Sequence, residues 1–486
     1  MCNQYPFEPS PIGALKSYFS ANAKTARSVT GTFLFLAFLQ LAGAANHYIR
    51  AGATGASDGT SWINAWPTFA SVNWVRGDTY YLAGGIYNEN PIISVPPSGS
   101  TLIYIKKANL ADNGSDIGFV ATYATSVATI AGALDIDKGF VSLDGVTGSG
   151  TSGHGILISN TAFTNVLTLE DYSSFSISHC EIRGAGYAAS TSAFSGISYN
   201  CIYVSQKNTA IRNCWIHEVT TNGVQILNVT GTSYSDYGFI FENNVISETG
   251  GCLDPTNHGQ GMQLGQASEL GYCILRNNVF RNINGSGMIV FLSSGNGAYH
   301  HDIQIYNNVF YITDLSTYSV ISPGVIWAEQ AGSYTGNGLV NLYIINNTFF
   351  GLGSPTANSV SGAIILHAPT TNTVLQNNLW ENCRLSSPHV GVTSQSNNGY
   401  YGNSLNVPSG TLKQVSGVSS ALVAAGSGDF HLTPGSYAIG KGKNIPALFT
   451  TDLEGKVRGG VWDLGAFQFA TTADAPPSNA QVINNP

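Results

Sequence analysis

The sequence predicts an all-β solenoid in which short parallel strands coil into rungs around a dry core. Three observations support this. A phrase centred on an Asn pair recurs along the chain, a second phrase of the form Gly-apolar-x-apolar precedes most copies, and charged residues make up only 9% of the composition. A strand-like repeat of about 30 residues is typical of solenoids, in which each unit packs on its neighbours.

The Asn phrase has the pattern apolar, polar, Asn, Asn, variable, apolar. Its second Asn, or a Cys in the same place, recurs every 30 to 39 residues, at Cys180, Cys214, Asn244, Asn278, Asn308, Asn347 and Asn378. Asn tolerates the left-handed backbone of a tight corner, so the phrase predicts strand, corner, strand. Because rungs lie about 4.8 Å apart, we expect the amides from Asn244 to Asn378 to bond to one another in a column.

The second phrase supplies another strand of each rung. Its copies are Gly223–Ile226, Gly261–Leu264, Gly287–Val290 and Gly362–Ile365. If the apolar residues beside x point inward, x points outward. Gln225 and Gln263 are then outward on successive rungs, and other rungs have Leu157, Ile289, Ile326 and Ile364 at this position. The stacked Gln amides predict either a sugar-binding pair or a structural ladder, with about equal support.

These phrases resemble a right-handed parallel β-helix of the pectate-lyase-like superfamily, the pectin lyase fold, over residues 46 to 469. The resemblance implies three short strands per rung, an Asn ladder and a cap over the first rung. The length of the chain predicts about ten rungs. The resemblance implies a fold and not a single activity, since this superfamily contains lyases, hydrolases, epimerases and proteins that are not enzymes.

Residues 1–45 have the features of an export signal. Basic residues precede the apolar run Thr32–Leu41, and Ala42, Gly43 and Ala44 fit the small-x-small cleavage rule. The run is short for a membrane span, which favours cleavage and a secreted or cell-surface protein without a membrane anchor. Removal of residues 1–44 leaves 16 basic and 26 acidic residues, a balance of −10 that argues against nucleic acid as a partner.

The rest of the chain divides by composition. We predict an N-terminal cap with the first rungs at 46–130, the β-helix body at 131–412, a closing segment at 413–469 and a disordered tail at 470–486. Trp66–Val75 is the candidate capping helix, and Asp58, Trp62 and Asp78 are expected to be structural. The closing segment, with Phe430–Gly440 and Trp462–Phe467, resembles that of secreted bacterial choice-of-anchor β-helix proteins.

The cysteines allow several arrangements. Cys180 and Cys214 occupy equivalent corners of adjacent rungs, where either a disulfide or a stack of buried thiols fits. Cys252 and Cys273 bracket the insertion at 249–261 and could clamp it. The sequence has no C-x-x-C or H-E-x-x-H motif, so we expect no zinc site and no cofactor. A Ca²⁺ site built from scattered Asp and Asn oxygens is compatible with the composition, but the sequence does not locate one.

Candidate catalytic residues come from the strand after the Asn corner. Alignment of the copies predicts one outward column of Arg183, His217, Ser247, Arg281, Tyr311, Phe350 and Glu381, and a second of Gly184, Glu218, Glu248, Asn282 and Ile312. The 249–261 insertion adds polar residues beside this face. The predicted catalytic residues are His217, Glu218, Glu248, Asp254, His258 and Arg281. A His or Glu would move the proton and Arg281 would hold an acidic group of a sugar; solvated loop residues are the alternative.

The predicted substrate-binding residues are Gln225, Gln263, Arg183 and Lys207. A polyuronate lyase needs cations, yet residues 139–412 contain one Lys and five Arg. A hydrolase needs two carboxylates about 5 to 10 Å apart, which Glu218 and Glu248 on adjacent rungs could supply.

Three functions follow. The first is a carbohydrate-active enzyme acting on an extended polysaccharide, with a lyase ahead of a hydrolase. The second is a non-catalytic polysaccharide-binding or cell-surface protein, and the third is a structural adhesin. Rungs after residue 285 present apolar side chains outward, which suits stacking on sugars or packing against another chain.

Overall fold

The computed structural model describes residues 44–95, 99–186, 199–250, 253–254, 257–265, 268–285, 287–292, 299–314, 324–328, 338–353, 362–385, 389–402 and 419–469. In 253–254 and 257–258 it describes the backbone alone. The predicted export signal up to residue 43, the predicted tail and Cys252 lie outside these ranges.

Nearly all strands belong to three parallel sheets. Sheet A has 13 strands, 12 of them in one continuous order: Asn46–Ile49, Thr79–Leu82, Ile103–Lys107, Val141–Asp144, Phe175–Ser178, Thr209–Arg212, Phe239–Glu242, Leu270–Arg276, Tyr299–Tyr306, Gly338–Ile345, Thr370–Gln376 and Ser394–Ser396, with Val229–Thr230 paired to Leu270–Arg276. Sheet B has 11: Gly85–Tyr87, Ala128–Ile130, Ile156–Ser159, Cys180–Arg183, Trp215–Val219, Val245–Thr249, Val279–Ile283, Val309–Tyr311, Thr348–Phe350, Leu379–Glu381 and Gly399–Tyr401. Sheet C has 9: Ile92–Ile93, Leu134–Ile136, Leu167–Leu169, Asn200–Val204, Asn222–Ile226, Gln260–Leu264, Gly287–Phe291, Ile326–Ala328 and Ile364–Leu366.

The remaining described elements are short. Two antiparallel pairs occur, Leu253–Asp254 with Asn257–His258 and Leu422–Ala424 with Asp429–Leu432. The helices are Leu110–Asn113 and Thr122–Thr125, with single 3₁₀ turns at Phe69–Ser71 and Ala425–Ser427. Within the described residues, no helix is long and apolar enough to cross a membrane.

The chain visits sheets A, B and C in turn, so each rung gives one strand to each sheet. This is the predicted right-handed parallel β-helix. Twelve successive strands in sheet A exceed the ten rungs predicted from the chain length, because some rungs are shorter than the predicted repeat, such as the 20 residues between the paired Val374 and Ser394. Alternate residues of each strand point into one continuous apolar core, as the period of two requires.

The corner between sheets A and B contains the predicted Asn ladder. Asn244 Nδ2 donates to Asn278 Oδ1 at 3.2 Å, and the same bond continues through Asn308, Asn347 and Asn378 to Asn398 at 2.9 to 3.1 Å. Asn398 was not predicted as a member, because its copy of the phrase lacks the apolar flanks. The first Asn of each pair has φ between 51° and 58°, the left-handed conformation of a tight corner.

Part of the predicted register of sheet C is wrong. Gln225 pairs with Gln263, and Gln263 pairs with Val290, followed by Trp327 and Ile365. Ile289, Ile326 and Ile364, predicted to point outward with the two Gln, instead lie in the core, and Leu157 belongs to sheet B. The third copy of the phrase is offset, since Gly287 aligns with Gln260 and not with Gly261.

The first rung is covered differently from the prediction. Instead of a helix over 66–75, the chain makes one 3₁₀ turn at Phe69–Ser71, and Trp66, Phe69 and Trp74 pack into the core. Bulky aromatic rings close the first rung without regular helix. Asp78 is structural as predicted: its carboxylate accepts the Ala45 backbone N–H and lies 2.9 Å from His47 Nε2.

Residues 419–469 pack across the outer surface of the later rungs. The first Asn of the last four pairs holds this segment. Asn346 Nδ2 donates to the carbonyls of Asp463 and Gly465 at 2.9 and 3.0 Å, and Asn377 Nδ2 donates to that of Lys443 at 2.8 Å. Asn307 and Asn397 make equivalent bonds to the carbonyls of Thr451 and Lys441. The two Asn of the phrase therefore have separate roles, the inner one in the ladder and the outer one in docking.

The five described cysteines are buried and free. Cys180 lies opposite Cys214 on the adjacent rung, since the following residues Glu181 and Trp215 are paired. Contact with the Cys214 thiol and burial raise the pKa of Cys180, and the pair is a stack of buried free thiols, one of the two predicted arrangements. The clamp between Cys252 and Cys273 stays a prediction. Among the described side chains, no three His, Cys, Asp or Glu come together as metal ligands.

Candidate functional site

Two outward-facing files run along sheet B, parallel to the helix axis. The first, called here the outer file, consists of Ile86, Thr129, Leu157, Glu181, Trp215, Val245, Val279, Val309, Thr348, Leu379 and Gly399. The second consists of Ser159, Arg183, His217, Ser247, Arg281, Tyr311, Phe350, Glu381 and Tyr401. The predicted order of the column from Arg183 to Glu381 is confirmed.

Glu218 and Glu248 follow this second file at the ends of their strands. Their φ values are 56° and 49°, and Asn282 on the next rung has φ 49°. The paired register skips Glu218 and Glu248, passing from His217 and Ser247 to Val219 and Thr249. The two left-handed residues therefore interrupt the strand pairing at matched places on adjacent rungs.

A compact charged cluster lies on the two adjacent rungs that contain Glu181 and His217. His217 Nε2 is 3.2 Å from Glu181 Oε1, and His217 Nδ1 is 3.4 Å from Glu218 Oε1. The indole of Trp215 stacks on the imidazole, with ring centroids 3.6 Å apart and planes within 7°. The His217 side chain is 2% exposed, whereas those of Glu181 and Glu218 are 23% and 45% exposed. Both carboxylates therefore reach solvent, and each contacts the buried imidazole.

The charges of this cluster reinforce one another. Burial acts to lower the pKa of His217, but the hydrogen bonds to Glu181 and Glu218 outweigh it and raise the pKa above its ordinary 6.5. The His217 hydrogen bond lowers the pKa of Glu218, and it also lowers that of Glu181 against the opposing effect of burial. The contacts therefore favour the protonated imidazole and the two ionised carboxylates together.

Arg183 completes the cluster. Its Nε and Nη2 lie 3.3 Å from Ser159 Oγ, and its positive charge contributes to the lowered pKa of both Glu181 and Glu218. The side chain is partly exposed. Arg183 is therefore the cation of the candidate site that a ligand can reach.

Glu181 was missed by the sequence prediction. It lies in a degenerate copy of the phrase, Ile177–Ile182, in which Cys replaces the ladder Asn. Glu181 occupies the variable position of this copy, which was not considered as a site position. The alternation from Cys180 inward to Glu181 outward was the available signal. The Glu218 and Glu248 pair was expected instead, but Glu248 lies 3.6 Å from Arg281 Nη2.

Other predicted residues lie apart from the cluster or are buried. Arg281 is 3% exposed and faces Glu248, so its guanidinium is not presented to a ligand. Lys207 pairs with Asp236 at 3.0 Å in the turn before Thr209–Arg212 of sheet A. Asp254 and His258 lie on the antiparallel pair Leu253–Asp254 and Asn257–His258, and their side chains are outside the described part, so their roles stay predictions.

Gln225 and Gln263 belong to an amide network on sheet C. Asn200 Nδ2 donates to Gln225 Oε1 at 3.0 Å, and Asn222 Nδ2 donates to Gln263 Oε1 at 2.7 Å and to Asn200 Oδ1 at 2.9 Å. The two Gln are only 7% and 8% exposed. Of the two predicted interpretations, these contacts favour the structural ladder.

The chain is similar to known structures only at low sequence identity. No family model and no curated protein matches the sequence. A pectate lyase is similar at 13% identity, over 89% of this chain and 98% of that chain, with a TM-score of 0.36. A lacto-N-biosidase from Eubacterium ramulus matches at 13% identity over 76% and 67% of the chains (TM-score 0.39), and a tailspike of the E. coli bacteriophage HK620 at 13% over 74% and 60% (TM-score 0.39).

At these identities and TM-scores, the similarities carry no argument about what this chain binds or catalyses. The fold is instead established by the chain's own features, its three parallel sheets, its register and its Asn ladder. On these grounds the chain is a right-handed parallel β-helix with the pectin lyase fold.

Proposed function

We propose that the protein is a secreted carbohydrate-active enzyme that hydrolyses glycosidic bonds of an extended polysaccharide. The observation that carries the proposal is the imidazole of His217 held between the solvent-reaching carboxylates of Glu181 and Glu218. The two contact distances and the width of the ring give the carboxylate oxygens a separation of at most about 9 Å, which does not exceed the separation in glycosidases that have a water between substrate and base.

Glu218 and Glu181 have different roles in proton transfer, which we assign from the exposure of their side chains. Glu218, the more exposed carboxylate, relays the proton of His217 Nδ1 to the leaving glycosidic oxygen. Glu181 accepts a proton from the attacking water, whose oxygen forms the new bond to the anomeric carbon as the bond to the leaving oxygen breaks, and returns that proton to His217 Nε2. His217 is a positioning residue that also holds the transferred proton between the two carboxylates. Direct attack by water from the side opposite the leaving oxygen inverts the anomeric carbon.

Hydrolysis fits the cluster better than elimination does. A lyase must neutralise a uronate carboxylate and hold a neutral base. Here Arg183 is the accessible cation of the cluster, while Lys207 and Arg281 face Asp236 and Glu248. The contacts of His217 with the two carboxylates raise its pKa and so favour its protonated form, which disfavours a role as the base of an elimination.

The protein is incubated with a panel of oligosaccharides of polygalacturonate, alginate, xylan and chitin. Two products are measured: new reducing ends, and the ultraviolet absorbance of an unsaturated uronate. We expect reducing ends without that absorbance. Glu218→Gln and Glu181→Gln should each lower kcat about 10²–10⁴-fold, the usual contribution of general acid–base groups. Glu242→Gln is the matched control, since Glu242 pairs with Arg212 and Arg276 on sheet A.

The pH profile separates the role of His217 from a merely structural one. Activity should fall on the alkaline side as the pH rises through the raised pKa of His217, above 6.5, and on the acid side below 4.5, where Glu181 and Glu218 take up protons. His217→Gln should remove the alkaline limb while the fold is retained. Glycan binding without cleavage by the wild type would favour the polysaccharide-binding alternative instead.

A further inference from the structure

The outer file of sheet B changes character at one rung. From Ile86 to Trp215 its side chains reach solvent, Ile86 to 61% and the others partly. From Val245 through Val279, Val309 and Thr348 to Leu379, every side chain is 3% exposed or less. We call these stretches the open half and the covered half of the outer file. The change falls between Trp215 and Val245, directly beside His217.

The covered half is closed by the chain's own closing segment. Val245, Val279, Val309 and Leu379 form one buried apolar cluster with residues that include Leu453, Leu464 and Phe467, and Trp215 packs against the edge of this cluster. Trp215 is also fixed toward the covered side, because its Nε1 donates to Ser247 Oγ at 2.9 Å. The apolar face predicted for sugars or another chain is thus occupied by residues of the same chain.

The open half has the dimensions of a short glycan site. Ile86 to Trp215 spans four rung spacings, about 19 Å, or roughly the length of three to four sugar residues. At the closed end stand the Trp215 ring, which suits stacking on a sugar face, and the carboxylates of Glu181 and Glu218. A polysaccharide laid along this face can continue toward Ile86 but meets the closing segment beyond Trp215.

From this geometry we infer that the site recognises the end of a glycan chain and cleaves from that end, releasing short products of one size. This inference rests on the proposed function and specifies its substrate as chain termini. A groove open at both ends would instead bind internal segments, and the outer file is open at one end only.

The test measures how many protein molecules bind one glycan chain. Size-fractionated ladders of the four panel polysaccharides, of about 4 to 20 sugars, are titrated with the Glu218→Gln protein by calorimetry, which separates binding from cleavage. End recognition gives one protein per chain at every length, because each chain has one end of the required polarity. Wild-type protein on the same ladders should release one product size from the first time points.

The outcomes are distinct. A bound number that increases with chain length, or early products of random size, would overturn end recognition while leaving hydrolysis intact. No binding to any ladder by either protein would overturn both end recognition and the proposed function. Thr129→Trp in the open half, two rungs from Glu181, should lower affinity for chains of four or more sugars, whereas Val457→Trp, an exposed position of the closing segment, should leave it unchanged.

Discussion

The open and covered halves of the outer file show how one repeat can serve two purposes. Both are made by the same kind of strand in the same sheet, with the same register and the same rung spacing. The covered half has Val, Val, Val, Thr and Leu, while the open half has Ile, Thr, Leu, Glu and Trp next to its charged neighbours. The two halves differ in what contacts their outer surface. The open half faces solvent, whereas the covered half packs against the closing segment, which lies more than 40 residues further along the chain than any covered residue.

The largest expected effect is a charge placed in the covered half. Val279→Asp would bury a carboxylate in the cluster with the closing segment, and should lower the free energy of unfolding by about 3–5 kcal/mol. Thr129→Asp in the open half of the same file is the matched control and should cost about 1 kcal/mol or less. Urea denaturation of both variants measures the difference. Equal losses would mean that the closing segment does not cover Val279.

A smaller effect is expected from the outer Asn residues. Asn346→Gly keeps the left-handed corner, since Gly adopts φ 51° without strain, but removes the bonds to the carbonyls of Asp463 and Gly465. We expect a loss of about 2–3 kcal/mol in the free energy of unfolding. Asn243→Gly is the control: it has the same conformation, on a rung before the docked ones, and should change stability by about 1 kcal/mol or less.

Protease susceptibility distinguishes docking from general weakening. In Asn346→Gly, limited proteolysis should cut first within 419–469, before the β-helix itself is degraded. Cleavage that begins in the rungs of the open half would contradict the docking role of Asn346.

The smallest effect is a pH dependence set by Glu381 in the covered half. Its carboxyl is fully buried and accepts hydrogen bonds from Ser420 Oγ at 2.6 Å and the Ala421 N–H at 2.5 Å, and burial raises its pKa above the ordinary 4.5. The folded state therefore holds this proton more tightly than the unfolded state does. Stability should fall as the pH rises from 4.5 through the raised pKa, and be fully present below 4.5. Comparison of the wild type with Glu381→Gln by thermal unfolding across this range isolates the effect, and an unchanged slope in the variant would contradict it.

The sequence predicted the parts of this structure that follow from local periodicity. The ladder from Asn244 to Asn378 and the column from Arg183 to Glu381 are correct because each rung repeats the previous one at a fixed spacing. The exceptions are local shifts in that spacing, such as the one-residue offset of Gly287. Such shifts reverse inside and outside, since neighbouring residues of a strand face opposite ways.

The candidate site was predicted less well, for two physical reasons. Glu181 was missed because its copy of the phrase is degenerate, although His217 and Glu218 were found. The burial of Arg281 beneath the covering cluster depends on contacts between segments far apart in sequence, which repeat patterns do not encode. Asp254 and His258 stay predictions.

The outer Asn residues also set a rule for how this fold can change in length. Each inner Asn bonds its two neighbours identically, so the ladder would accept an added or deleted rung anywhere along it. The closing segment, in contrast, is matched to four particular rungs through Asn307, Asn346, Asn377 and Asn397. A duplicated rung before Val245 would leave this match intact, while one inserted between Val245 and Asn397, along the rungs that the closing segment covers, would break it. Rungs can therefore be added with little loss of stability only on the N-terminal side of the rungs that the closing segment covers.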